Sequence, residues 1–192
     1  MFWCLIHCGN QMRALTAILT VLLLNVTAVV AQESPATQPY SDAYAYQIYS
    51  VLLPHEEAYS FATDALLIQE SAVSEDMSGA CLRQADANRF KDAIASYNRI
   101  NKKNWLFQRQ FQIDKPYRIV GSKVISALPN HPQSVVSYVR MSPVGFNRDK
   151  TQAVVFVGSS CGGMCGHWRF HFLEKVRGQW SEIPVAMCVG AS

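Results

Sequence analysis

The sequence predicts an α+β protein in which an antiparallel C-terminal meander of about four strands packs against two or three N-terminal and central helices. Two observations predict this class. The last third of the chain carries β-branched and aromatic runs separated by turn residues, which is typical of consecutive strands. Segments 41–54 and 86–101 repeat apolar residues every three or four positions, which indicates amphipathic helices.

The first 31 residues have the composition of an export signal. Arg13 is the only charged residue before an apolar stretch from Ala14 to Ala31, and the small residues at its end suit cleavage before Gln32. Met12 is the more ordinary start, so Cys4, His7 and Cys8 are left out of any site. We therefore expect an exported protein, periplasmic or extracellular, with a signal peptide in residues 1–31.

An uncleaved anchor is the alternative, because the 18 residues from Ala14 to Ala31 approach the roughly 20 that span a bilayer. The polar tail from Gln32 to Ser41 favours cleavage, which leaves no stable membrane span. A lipoprotein fits less well, since no cysteine follows the apolar stretch closely.

The rest of the chain predicts a flexible leader at 32–40 and a single domain at 41–192. Loss of Arg13 lowers the formal charge from +3 to +2, and the remaining Lys and Arg residues are scattered. A nucleic-acid binder needs a concentrated basic surface, so we expect no nucleic-acid partner.

The N-terminal and central elements follow from apolar spacing and turn residues. Ser41 is predicted to cap a helix that ends before Pro54. Ala65–Ile68 predicts a buried strand, and Asp86–Asn101 predicts a helix lying on the core. The intervening predictions are extended segments at Trp105–Phe111 and Tyr117–Val120 and a short helix at Ser122–Leu128.

The C-terminal meander is predicted from four strand-like runs. They are Val135–Val144, Gln152–Val157, His167–Lys175 and Gln179–Val185. Turn residues at 147–150 and 176–178 separate the first pair and the last pair of strands. We expect helices to cover one face of this sheet and to leave the other face open to solvent or a ligand.

One combination of short motifs resembles a group of exported bacterial proteins. The motifs are Val-Gly-Phe-Asn at 144–147, Cys-Gly-Gly-Met-Cys-Gly at 161–166, Leu-Glu-Lys at 173–175 and Gly178-x-Trp180. The resemblance covers about residues 138–180 and implies a bacterial, exported, single-domain protein. No activity, cofactor or catalytic residue is established for that group, so it carries over no site.

Four cysteines remain after cleavage, and export favours their oxidation. Four cysteines pair in one of three ways, and spacing favours a Cys161–Cys165 disulfide, which leaves Cys81 with Cys188. The loop between Cys161 and Cys165 is rich in glycine, which permits the tight bend that this bond needs. Such a small closed loop contributes about 2 kcal/mol, so it fixes a hairpin tip.

A thiol-dependent enzyme or redox protein using Cys161 and Cys165 is the alternative. The spacer is one residue longer than in redox Cys-x-x-Cys motifs, and strands flank it instead of a helix. A cysteine nucleophile needs a base and an orienting group, and nothing selects His167 with Asn147 or Asp149 for those roles. Segment 158–162 also lacks the serine nucleophile pattern, so we predict no catalytic residue.

The order Cys161, Cys165, His167, His171 resembles a zinc motif. On an extended strand, however, four residues at about 3.3 Å each place the two imidazoles roughly 13 Å apart, which is too far for one ion. A smaller site using both cysteines, His167 and a distant His131 stays open. Because a metal would compete with the disulfide, we predict no metal and no cofactor.

The strand after the cysteine loop has two different faces. Trp168, Phe170 and Phe172 alternate with a basic stripe of His167, Arg169 and His171. The aromatic set is predicted as core, whereas the stripe is a possible binding face for an acidic partner or ligand, with a solvated outer face as the commoner alternative. Glu56-Glu57 suggests acid–base chemistry, but a polar turn after Pro54 is the simpler interpretation.

Together these features predict a non-catalytic binding or interaction domain that carries a disulfide-stapled hairpin loop. Its partner is an unidentified protein or small molecule.

Overall fold

The computed structural model describes residues 37–77, 82–128, 137–160, 166–185 and 190–191. The predicted signal region, all six cysteines and His131 lie outside these residues. The helices are α1 (Ala43–Leu52), α2 (Glu57–Phe61), α3 (Gln84–Arg89), α4 (Lys91–Ile100) and α5 (Ser122–Ser126), with a 3-10 turn at Leu53–His55. The strands are β1 (Gln38–Tyr40), β2 (Leu66–Gln69), β3 (Trp105–Phe107), β4 (Tyr117–Val120), β5 (Tyr138–Met141), β6 (Gly145–Phe146), β7 (Gln152–Ser160), β8 (Gly166–Val176), β9 (Gln179–Glu182) and β10 (Gly190–Ala191).

The main sheet confirms the α+β class and the C-terminal antiparallel meander. Along the described strands its order is β10-β8-β7-β5-β2-β4, with β6 also paired to β7 and β9 to β8. The β5-β7, β7-β8 and β8-β9 pairs are antiparallel. The sheet as a whole is mixed, because β2 runs parallel to both β4 and β5. A second, two-stranded parallel sheet joins β1 to β3.

One face of the main sheet packs against α1 and the 3-10 turn. Strand β7 contributes Ala153, Val155 and Val157 to this core, and β8 contributes Leu173. Helix α1 supplies Ile48, Tyr49 and Leu52 at the spacing that places them on a single helical face. The Tyr49 hydroxyl donates a buried hydrogen bond of 2.7 Å to the Ser142 carbonyl, which ties α1 to the segment between β5 and β6.

The opposite face is also covered, by α3 and α4, so the prediction of one open face is wrong. Phe90, Ala93 and Tyr97 pack there against Val154 of β7 and Phe172 of β8. The Phe90 and Phe172 rings meet edge to face with their centroids 5.0 Å apart. Because both faces are covered, β7 is apolar along nearly its whole length.

Several local predictions are refined by the structure. The cap of α1 is Asp42, whose carboxylate accepts from the Tyr44 N–H at 3.0 Å, and not Ser41. The helix predicted from Asp86 to Asn101 is broken at Phe90, which lets its ring enter the core between α3 and α4. Ordered structure also begins before Ser41, since β1 lies within the predicted leader and buries Tyr40.

Strand β6 approaches helix α4 very closely at Gly145. A Cβ atom built on Gly145 would stand 2.4 Å from the backbone nitrogen of Tyr97 and 2.5 Å from the Ala93 carbonyl oxygen. Glycine is therefore required where β6 passes beneath α4.

No helix among the described residues is long and apolar enough to cross a membrane.

Candidate functional site

The basic stripe of β8 lies beneath the segment that connects the 3-10 turn to α2. Arg169 and His171 of the stripe pair with Val157 and Val155 of β7. Helix α2 is held above β7 by a hydrogen bond of 2.7 Å from the Ala58 N–H to the Ser159 hydroxyl. Glu56, the residue before α2, therefore points down onto the stripe.

Four side chains form a cluster there, which we call the His–Glu cluster: Glu56, His167, His171 and Glu182. His167 Nε2 lies 3.1 Å from Glu56 Oε2, and His171 Nε2 lies 3.6 Å from Glu56 Oε1. Each histidine also approaches a second carboxylate through Nδ1: His167 approaches Glu57 at 3.5 Å and His171 approaches Glu182 at 2.9 Å. Each imidazole is thus placed between two carboxylates.

Glu56 is the most unusual member of the cluster. Only 1% of its surface is exposed, and neither carboxylate oxygen accepts a well-directed hydrogen bond from any described residue. The two imidazole nitrogens lie at ion-pair distance but not in hydrogen-bond geometry. A buried carboxylate is costly unless a cation compensates it, so the chemistry of this site depends on what lies between Glu56 and the imidazoles.

His171 and Glu182 make the best-formed contact of the cluster. The hydrogen bond from His171 lowers the pKa of Glu182, an effect that the partial burial of this carboxyl opposes. Arg169 approaches the same pair, with its Nε 3.4 Å from His171 Nε2 and its Nη2 3.9 Å from Glu182 Oε1. Donation from Nδ1 to Glu182 favours the tautomer in which His171 Nε2 is an acceptor.

The lowered pKa of Glu182 predicts a stability effect with a definite sign. Its folded-state pKa lies below the unfolded value, so its contribution is present above the unfolded pKa of about 4.3 and is lost as the pH falls through the folded value. We expect Glu182→Gln to lower the free energy of unfolding at pH 7 and to match wild type near pH 2. Urea denaturation at both pH values measures the free energy of unfolding of the two proteins. An equal difference between them at pH 7 and at pH 2 would contradict the prediction.

A cleft of about 400 Å³ opens beside the cluster. It lies between β8 and the segment that follows β9, where the Ile183 N–H donates to the Phe172 carbonyl at 2.7 Å. Its lining is Arg169, Phe170, Phe172, Glu182, Ile183, Pro184 and Val185. Arg169 and Glu182 belong both to this lining and to the contacts of the His–Glu cluster, so the cluster fixes the two charged groups of the cleft.

The three residues of the predicted binding face have different environments. His171 is buried, whereas His167 and Arg169 keep 22% and 39% of their side-chain surface exposed. The alternative of a solvated outer face is therefore wrong at His171. The stripe is faced by three carboxylates, those of Glu56, Glu57 and Glu182. These carboxylates largely compensate its positive charge within the protein.

The predicted separation of the two imidazoles is also corrected. Both Nε2 atoms contact the same carboxylate, so they lie much closer together than roughly 13 Å. Side chains on one face of a strand can lean toward a common partner, which the spacing of Cα atoms does not reveal. As the side chains lie, no three His, Cys, Asp or Glu residues in the described ranges are arranged to hold a metal ion.

Sequence reasoning missed Glu56 and Glu182 as members of this site. Glu56 was predicted in a polar turn, whereas it is buried directly before a short helix. A signal for Glu182 does exist in the sequence: it lies two residues after Trp180, whose side chain faces the core, and it pairs with buried Leu173. A carboxylate at a core-facing position of a strand indicates a buried polar partner.

In comparisons with known proteins, no protein-family model, no curated protein and no solved structure matches this chain.

Proposed function

We propose that the protein is an exported, non-catalytic binding domain and that the cleft beside β8 takes a small ligand with an apolar group and a charged end. The cleft is the main observation in support of this proposal, because its volume falls in the range of small-molecule sites. It combines apolar side chains with two charged groups whose positions the His–Glu cluster fixes.

The charges in the cleft indicate the class of ligand. Arg169 offers planar donors suited to a carboxylate, and Glu182 offers an acceptor suited to an amine. Phe170, Ile183 and Val185 line the apolar part. A small zwitterion with an apolar side chain, such as a free amino acid or the end of a short peptide, matches all three features.

Ligand-observed NMR with small fragments tests this proposal through Arg169→Ala. We expect fragments with an amine, a carboxylate and an apolar group to bind the wild-type protein better than fragments that lack one charge. Arg169→Ala should weaken this binding at least about tenfold, since one charge-assisted contact contributes roughly 1.5–3 kcal/mol.

Arg118→Ala is the matched control, because Arg118 is an exposed arginine on β4 at the far edge of the sheet. It should bind like wild type. Equal loss in both variants, or no fragment binding to wild type, would contradict the proposal.

We also propose that a Cys161–Cys165 disulfide staples the loop between β7 and β8, in keeping with export. Ser160 and Gly166, the residues flanking the two cysteines, are paired across the strands. Antiparallel partners have Cα atoms about 4.5–5.5 Å apart, within the range that a disulfide spans. The paired strand ends therefore support a covalent closure at the next positions.

A free-thiol count on the native protein, together with the double variant Cys161→Ser/Cys165→Ser, tests the staple. We expect no reactive thiol at these positions and a loss of about 2 kcal/mol of stability in the variant, with unchanged fragment binding. Free thiols in the native protein would favour the alternative of a thiol-dependent enzyme or redox protein.

A further inference from the structure

We propose that His171 is a specificity-determining residue of the cleft beside β8: its protonated form selects for a carboxylate on the ligand, and its neutral form selects for an amine. This inference rests on the ligand cleft proposed above. It adds how the cleft distinguishes the two charged ends of a ligand.

His171 connects the two charged groups of the cleft. Its Nδ1 lies 2.9 Å from Oε1 of Glu182, and its Nε2 accepts a hydrogen bond of 3.4 Å from Nε of Arg169. Arg169 and Glu182 both line the cleft, whereas His171 itself is 1% exposed. The buried imidazole therefore acts on a ligand through its two neighbours.

The contacts of the ring are those of the neutral imidazole, which has one donor and one acceptor nitrogen. Arg169 can only donate, so Nε2 is the acceptor and Nδ1 carries the proton toward Glu182. In this form one N–H of Arg169 is occupied by the ring, and the charges of Arg169 and Glu182 offset each other. An amine therefore meets no additional positive charge beside Glu182.

Protonation of His171 changes both neighbours at once. The second proton sits on Nε2, which can then no longer accept from Arg169. The Nε group of Arg169 is released for a ligand carboxylate, and the wall of the cleft gains one positive charge. Both changes favour a carboxylate, and the added charge disfavours an amine.

The surroundings of the ring compensate this charge although the ring is buried. Glu56, directly before α2, lies 3.6 Å from Nε2, and Glu182 of β9 lies 2.9 Å from Nδ1. Two carboxylates thus face the ring against the single guanidinium of Arg169, and a buried charge is tolerated when opposite charges are paired with it. The other titratable groups around the cluster are His55, Glu57 and His167.

Ligand-observed NMR at pH 8 and pH 5.5 tests the selection, because histidines change charge within this range. The probes are a carboxylate and a primary amine with the same apolar group, both of which stay ionised at the two pH values. From pH 8 to pH 5.5 we expect the affinity for the carboxylate to rise at least about fivefold and the affinity for the amine to fall at least about fivefold.

Two variants assign these trends to one histidine. His171→Gln should abolish both trends, since glutamine does not titrate. His55→Gln, at an exposed histidine of the 3-10 turn, should keep both.

A second measurement uses the wild-type chain and decides if His171→Gln does not fold. Because coupling is reciprocal, the carboxylate should raise the pH midpoint of the His171 ring signals and the amine should lower it.

Affinities that do not change with pH, trends that persist in His171→Gln, or failure of both singly charged probes to bind would overturn this inference and leave the cleft as a site for zwitterions. Failure of a zwitterionic fragment to bind at either pH would overturn the proposed function and this inference with it.

Discussion

The Gly145→Ala variant is expected to lose at least about 3 kcal/mol of stability, although it adds a single methyl group. The new Cβ would stand 2.4 Å from Tyr97 N and 2.5 Å from Ala93 O, both backbone atoms of α4. Backbone atoms in a packed helix cannot move aside as a side chain can, so α4 must shift off the sheet. That shift disturbs the packing of Ala93 and Tyr97 against β7 and β8.

Thermal unfolding measures this effect as a fall in Tm of roughly 6–12 °C for a domain of this size. Gly121→Ala is the matched control. A Cβ atom at Gly121 meets only a side-chain oxygen of Glu70 at 3.6 Å, an ordinary contact. We expect this control to stay within about 0.5 kcal/mol of wild type. Equal stability of the two variants would show that β6 does not pass beneath α4 as described.

The His171→Ala variant is expected to lose about 2–4 kcal/mol, because the truncation removes the hydrogen bond to Glu182, leaves the buried Glu56 carboxylate with one polar neighbour fewer and opens a cavity. His171 contacts Glu56 at 3.6 Å and Glu182 at 2.9 Å, and both His171 and Glu56 are 1% exposed. Truncation therefore leaves Glu56 with a single nearby imidazole and also opens a cavity beneath α2. His55→Ala, at an exposed histidine next to Glu56 in sequence, should change stability by about 0.5 kcal/mol or less.

A double-mutant cycle with Glu56→Ala separates the lost pairing from the lost packing. Once the Glu56 carboxylate is absent, removal of His171 no longer takes a polar neighbour away from a buried carboxylate. The double variant should therefore lose clearly less than the sum of the two single variants, with a coupling of at least about 1 kcal/mol. Urea denaturation gives all four values, and strict additivity would show that Glu56 and His171 are not coupled.

The elements with strong local signals were predictable from sequence. Strand β7 carries a nearly unbroken apolar run, and the helical spacing of Ala93 and Tyr97 identifies α4. The turn before β9 is marked by Gly178, which takes a φ of 85°. In each case a few neighbouring residues contain the whole signal, so the fold class follows from them.

The His–Glu cluster was not predictable as a unit, because its members lie far apart in the sequence. Alternation along β8 correctly separates Phe172 from His171, but a polar face resembles a solvated face until the residues covering it are known. Glu56 covers His171 only because α2 lies over β7 through its contact with Ser159. No pattern within a single segment indicates that contact.

The break at Phe90 has a similar origin. The apolar spacing of 86–101 fits one continuous helix, and nothing local opposes it. The helix is divided because the Phe90 ring packs against Phe172, a residue of β8. Tertiary packing therefore overrides a local preference that the sequence alone expresses well.

Backbone NMR spectra recorded during titration with a zwitterionic apolar fragment test most directly our proposal that the cleft beside β8 binds a ligand. We predict that the amide signals of Arg169, Phe170, Glu182, Ile183 and Val185 shift together and saturate with one fragment bound per chain. Shifts confined to other strands or helices, or spectra that do not change at millimolar fragment, would contradict the claim.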